Sequence, residues 1–256
     1  SDEDWLDASA LLEKQIREMK RNRHFRTPSM LYYDSLPKDE RRTISSVDYF
    51  EQRVANNLFY GLENEFHWIP YSVPKGWLGL RNYKFLSYPL RLLYYAVGIY
   101  LLRLTDDYLT SPSVPPGCIC SFYGGDLRTN NGRLQVSANG LWYKQSYKTF
   151  KERVSTRIDG CGDSTVVIFF DIASFFDSIP HETLFSETAK RASPGAVSLQ
   201  HFDEPEASEQ LSSFLLFLSG SASGIPQADN DVVSSFISHL YLSFVDRMID
   251  EIVRGF

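Results

Sequence analysis

The chain has 256 residues, 43% hydrophobic and 14% aromatic, with 26 Lys and Arg against 32 Asp and Glu for a net charge of −6. That length can bury one large core or two small ones, and the aromatic content excludes a disordered polymer. It has no run of about 18 apolar residues for a membrane span, no cationic-apolar leader, and three cysteines (Cys118, Cys120, Cys161) without metal-ligand spacing, which together predict a cytoplasmic protein.

Trp5, Leu6, Leu11, Leu12, Ile16 and Met19 recur at helical spacing and predict an amphipathic helix over residues 4–23. It runs into Arg17, Lys20, Arg21, Arg23, His24 and Arg26, a cluster suited either to an RNA backbone or to the solvated end of a helix. Pro28, Pro37 and the charged run Lys38 to Arg42 predict a linker, and Ser45-Ser46 predicts a helix start in a segment reaching about Phe66. Between His67 and Pro89, short apolar runs cut by Pro70, Pro74, Gly76 and Gly79 predict a β-hairpin. Arg91 to Leu109 reads as a helix apolar on most faces, hence buried, with Thr105-Asp106-Asp107-Tyr108 as its surface end.

Ser111 to Gly117 holds three prolines and a glycine and reads as a loop. Tyr143 to Lys151 interleaves aromatics with lysines. That suits either an element lying along nucleic acid or an amphipathic helix with Tyr147, Phe150 and Val154 facing a core. Five apolar residues, Val166 to Phe170, predict a buried strand that delivers Asp171 at its end, as a metal-binding carboxylate or as the cap of a helix starting near Ser174. Pro194 to Gln210 predicts a mobile insertion. Gly224 and Pro226 predict a bend. After it, Asp229, Asn230 and Asp231 suit the start of a helix with Val233, Phe236, Ile237, Leu240, Phe244 and Met248 on one side. His181, His201 and His239 read as structural, and neither a zinc spacing nor a phosphate-cradling glycine loop occurs.

Charge is divided unevenly. Residues 1–150 hold 19 Lys and Arg against 16 Asp and Glu, and residues 151–256 hold 7 against 16. A basic front and an acidic rear suit a protein that contacts phosphate with one part and holds cations with another, and equally suit solvated surface of uneven sign.

The run Val166 to Ile179, with Asp171 followed by Phe175 and Phe176, resembles motif A of reverse transcriptases. Ser223-Gly224-Ile225-Pro226-Gln227 resembles their motif B. The likeness is to the bacterial group: group II intron, retron and abortive-infection or defence-associated enzymes. It covers roughly Lys75 to the C-terminus. Lys84 to Pro89 resembles the basic-apolar-proline strand of the fingers, and Cys120 to Leu127 the aromatic-glycine segment leading to the palm. Two departures stand out: Ala228 occupies a position where the family usually has glycine, and no paired aspartates follow the second motif up to Phe256.

The resemblance implies a helix-rich α+β fold: a helical N-terminal extension over 1–66, a fingers-like region over 67–160, and a partial right-hand palm over 161–256. The implied activity is RNA-directed DNA polymerisation. Asp171 and the Ile172 carbonyl would hold Mg2+, two ions being expected and Mn2+ able to substitute. Phe176 would exclude ribonucleotides, Gln227 would contact the nucleotide, and Lys75, Arg81 and Lys84 would offset triphosphate charge. Implied partners are deoxynucleoside triphosphates, an RNA template or structured non-coding RNA, the DNA product, and a second copy or partner polymerase subunit, with antiviral defence as the setting and no membrane. The alternative is a non-catalytic scaffold binding RNA or a partner, which accounts directly for the absent aspartate pair.

Overall fold

Helix α5 (Tyr88–Leu104) shows how this chain builds its core. Ser87 and Pro89 open it, and the pre-set φ of proline suits a first helical turn. Leu, Tyr and Ile then occupy nearly every face, so the helix can be stable only with neighbours on several sides. In this computed structural model, which describes residues 1–21, 27–55, 65–75, 79–110, 127–130, 133–136, 142–162, 164–168, 171–193, 204–227 and 231–254, α5 has such neighbours. Helix α1 (Asp2–Arg21) lies along it on one side, seating Trp5, Ala8, Leu11, Leu12, Ile16 and Met19 in the core. The C-terminal helix lies against another side. There Gly98 is required, because a Cβ at that position would collide with Val233 Cγ1.

At the N-terminus, acids of the first two turns of α1 converge on Arg103 of α5: Glu3 at 3.1 Å, Asp7 at 2.6 Å, and Asp4 as well. The expected N-terminal helix is therefore present, with one difference: Leu6 is exposed and Ala8 takes an inward position. The predicted linker is helical instead. Helix α2 (Pro28–Ser35) starts at Thr27, whose hydroxyl accepts from Met30 N at 3.2 Å, and α3 (Lys38–Ile44) follows Pro37. Both prolines sit at or before a helix start, where their missing N–H costs nothing. Ser46 caps α4 (Val47–Tyr49), which widens into a π-helical turn, Phe50–Ala55.

The expected hairpin is formed by β1 (Trp68–Lys75) and β2 (Gly79–Leu86), antiparallel, with Tyr71 opposite Tyr83. The long helix predicted to Leu109 divides at Thr105 into α5 and α6 (Asp106–Thr110). A second, short hairpin, β3 (Leu127–Asn130) with β4 (Arg133–Val136), had no counterpart among the expectations. Helix α7 (Trp142–Asp159) settles the form of the aromatic-lysine segment, but neither Tyr147 nor Phe150 faces a core. Both are exposed and stacked on each other at 6.3 Å.

The chain continues through α8 (Phe175–Ser178), α9 (His181–Lys190), α10 (Glu204–Ser219) and α11 (Val232–Arg254). Glu204 to Gln210, expected in a mobile insertion, forms the first turns of α10, where Glu-Pro-Glu suits a helix start. On α11, Val233, Phe236, Ile237, Leu240 and Phe244 are buried as expected, whereas Met248 is exposed. The fold is thus helix-rich α+β with two small antiparallel hairpins, and no helix of the described residues is long and apolar enough to cross a membrane.

Candidate active site at the Phe176 turn and the Gly224–Gln227 bend

The two motif-like segments meet. Gly224 N donates to Ile179 O at 2.8 Å, Ile225 N to Phe176 O at 2.9 Å, and His181 N to Ala222 O at 3.3 Å, while Pro180 and Ser223 form a β-bridge. The Ser223 hydroxyl adds a bond to Asp177 O at 3.2 Å. Gly224 holds φ +95°, and a Cβ there would stand 3.2 Å from both Cα and O of Asp177. A side chain would strain the backbone and press on the facing turn, so glycine is what lets the strands approach. Ser174, just before the turn, adopts a left-handed conformation at φ 49°, uncommon for a residue with a side chain.

The β1–β2 hairpin closes a third side. Lys84 N donates to Gln227 O at 2.9 Å, joining β2 to the bend. The Lys84 ammonium donates to Leu218 O and lies 4.1 Å from the Trp68 ring centre, while Trp68 Nε1 donates to Phe217 O at 3.0 Å. Burial lowers the Lys84 pKa and the Asp177 carboxylate opposes that shift, so these two charges sense each other across the junction. Arg81, three residues earlier on β2, is exposed and by strand alternation projects from the opposite face of the hairpin. Lys75 pairs with Gly79 in the ladder. Of the two expected triphosphate cations whose side chains are described, Lys84 is thus drawn to the bend and Arg81 is not.

Under the bend lies a buried polar network. Asp231 Oδ1 accepts from Val233 N at 2.9 Å and Ser234 N at 3.0 Å, capping α11, and Asp231 Oδ2 lies 2.7 Å from Arg91 Nη1. The Ser234 hydroxyl donates to Pro226 O and shares a 2.8 Å bond with Tyr94 OH. Burial, with the Asp231 charge adding to it, pushes the Tyr94 hydroxyl far above its ordinary pKa, so it stays a proton carrier in this network. On the other side, buried His181 places Nε2 2.6 Å from Gly224 O, which fixes that nitrogen as the N–H donor. Burial lowers the His181 pKa, and the Gly224 carbonyl partly restores it.

The structural reading of His181 agrees with this geometry. Of the other two histidines, His239 is half-buried in α11 and His201 lies outside the described residues. The roles of Arg91, Tyr94 and Ser234 were not foreseen. One signal pointed to them: an Arg set among apolar residues in the first turn of a buried helix needs a buried anionic partner.

Asp171 is in a different setting. The expected buried strand Val166 to Phe170 is not found in the residues described there. Residues 164–168 have no regular secondary structure, and Val166 and Ile168 are 81% and 76% exposed. A strand needs neighbours for both its backbone and its side chains, and both described sheets are complete two-stranded hairpins made by other segments. Asp171 and Ile172 are exposed, and the Asp171 carboxylate has no ion pair or hydrogen bond among the described residues. Nor does it cap α8: the residue at that N-cap is Ser174, without a side-chain cap bond.

No group of three acidic, His or Cys side chains suited to a metal occurs among the described residues. A lone hard-oxygen ligand still fits magnesium, which is held in many sites by one or two carboxylates plus substrate phosphates. Phe176 and Phe175 are both half-buried against the core, their rings 5.9 Å apart, and Phe175 also meets Tyr241 at 6.3 Å. Phe169, Phe170, Ala228 and the Cys120 to Asp126 segment lie outside the described residues. No protein-family model matches the chain, and no curated protein matches it.

Proposed function

We propose that the chain is the fingers and part of the palm of an RNA-directed DNA polymerase of the bacterial defence type, with a helical N-terminal extension. One observation carries this reading. Two segments that resemble motifs A and B, far apart in sequence, are joined by backbone hydrogen bonds at Phe176, Ile179 and His181, and β2 joins the bend at Gln227. A nucleotide-transfer site needs a carboxylate, a floor for the sugar and a loop at the base pair, and the contact between the Phe176 turn and the Gly224–Gln227 bend supports reading them as the last two.

In the proposed reaction a 3′-hydroxyl attacks the α-phosphate of a deoxynucleoside triphosphate, the bond from that phosphorus to the bridging oxygen of the β-phosphate breaks, pyrophosphate leaves, and the hydroxyl proton passes to solvent. Magnesium, when bound, stabilises the attacking and leaving oxygens. Asp171 and the Ile172 carbonyl are its proposed ligands. Phe176 presents a ring that excludes a 2′-hydroxyl, Gln227 contacts the incoming nucleotide, and Lys84 offsets phosphate charge. An RNA template or structured non-coding RNA and a DNA product are the proposed partners. The test is incorporation of labelled deoxynucleotides by the full-length natural protein. Asp171→Ala should reduce incorporation to background, and Phe176→Val should admit ribonucleotides. Unchanged incorporation by Asp171→Ala would overturn the metal-ligand assignment.

A scaffold without catalysis has one observation in its favour: the Lys84 ammonium already has partners in Leu218 O and the Trp68 ring, so the hairpin is held without a ligand. RNA binding with no incorporation under any template would select it.

A further inference from the structure

The cleft between α1 and α3 is built from charge. Arg17 and Lys20 line it from α1, and Lys38, Arg41 and Arg42 from α3, around a volume of about 420 Å3. Two carboxylates also line it, Glu13 and Asp34. Both are engaged: Asp34 lies 2.8 Å from Lys20 Nζ, and Glu13 lies 2.9 Å from Arg41 Nε. Arg41 is buried and also donates to Tyr33 O at 2.6 Å, so it forms a fixed floor rather than a mobile arm.

Arg17 and Lys38 have no carboxylate partner among the described residues, and Arg42 has only an exposed one, Asp39 at 3.6 Å. The cleft therefore carries five cations against two anions on a protein whose net charge is −6. Local excess of one sign in a concave site concentrates ligands of the other sign.

We infer that this cleft binds the phosphodiester backbone of a nucleic-acid strand, at a place separate from the Phe176–Gln227 junction. The layout favours a row of phosphates over a single one. Arg17 and Lys20 stand one turn apart on α1, Lys38 and Arg42 one turn apart on α3, so charge is spread along the cleft and not focused on one point. Neutralising phosphates with such side chains releases counterions, which makes the binding steeply salt-dependent and indifferent to base sequence.

The experiment measures fluorescence anisotropy of labelled single-stranded RNA and DNA 20-mers of mixed sequence against salt concentration, with the full-length natural protein and no nucleotide or metal. The triple variant Arg17→Gln, Lys38→Gln, Arg42→Gln changes only exposed side chains, and its thermal melt is checked against the parent. Its affinity should fall about tenfold or more, and the slope of log affinity against log salt should flatten by about two units, near 0.7 for each lost contact. Lys190→Gln, an exposed cation on α9, should leave both unchanged. Comparing the two strands tells which nucleic acid is preferred. Unaltered affinity and slope in the triple variant would overturn the inference, as would equal competition by polyglutamate or saturation by inorganic phosphate alone. Because the assay reads no catalysis, its failure and the failure of the polymerase reading are distinguishable.

Discussion

Helix α5 and the segment Val166–Ile168 are similarly apolar in sequence, yet their fates are opposite. Leu92, Tyr94, Tyr95, Ile99 and Leu101 are fully buried, whereas Val166 and Ile168 are among the most exposed apolar side chains described. The difference lies in what each backbone requires. A helix satisfies its own N–H and C=O groups and needs only side-chain neighbours, which α1 and α11 supply. A strand needs a partner for every second backbone group as well, and an apolar run states that need without meeting it. The junction at Phe176 and Gly224 falls between the two: short, irregular, but tied to the core through Asp231, Ser234 and His181.

The largest expected effect comes from the core side of that contrast. Asp231→Ala strips the cap from α11 and leaves the Arg91 guanidinium buried without its anion. Removing one partner of such a pair costs about 3–5 kcal/mol. Urea midpoints should show a loss of that size, and Arg91→Met with Asp231→Leu together should recover most of it. A loss below about 1 kcal/mol in the single variant would mean that the pair is reached by water.

Gly224→Ala tests the junction itself. Positive φ disfavours a side chain by about 1–2 kcal/mol, and the added methyl group would press on Asp177. Stability should drop by roughly that amount, and any incorporation activity should fall further than stability explains, since the bend and the Phe176 turn move together. A fully stable variant with unchanged activity would show that the bend does not hold the turn.

These elements were legible to different degrees. The helices α1, α5 and α11, the hairpin β1–β2 and the Gly224 bend follow from periodicity, proline and glycine placement, because each depends on neighbours close in sequence. The expected linker is α2 and α3 instead, because proline breaks a helix only from its second turn onward and Pro28 and Pro37 stand at or before a helix start. Pairing of Arg91 with Asp231 and of His181 with Gly224 O was not legible, since sequence separation of 140 and 43 residues is bridged only by the packing of α5, α9 and α11. The resemblance singles out Asp171, Phe176 and Gln227 as candidates, but does not tell that Arg81 and Lys84 face apart.

A smaller effect is carried by His181. Its folded pKa lies below the ordinary 6.5 because burial disfavours the imidazolium. Above 6.5 both folded and unfolded chains hold it neutral and there is no penalty. As pH falls below 6.5 the unfolded chain takes up the proton first, so stability falls until the folded pKa is passed and then levels. Urea midpoints from pH 7.5 to 5 should therefore decline more in the parent than in His181→Gln, whose amide retains a donor for Gly224 O. Equal declines would assign the pH dependence to other groups.

The smallest expected effect belongs to the exposed segment and tests the contrast from its far side. Ile168→Thr keeps a β-branched side chain and removes apolar surface at a position that is 76% exposed. Surface substitutions away from caps and networks stay within about ±0.5 kcal/mol, so urea unfolding should hardly change. The same substitution in a buried strand would leave a hydroxyl without a partner and cost about 1–3 kcal/mol. A loss of that size in the full-length natural protein would mean that Val166–Phe170 pairs there as a strand, and Asp171 would then be held at the edge of a sheet. No loss would leave Asp171 on a segment held by no sheet.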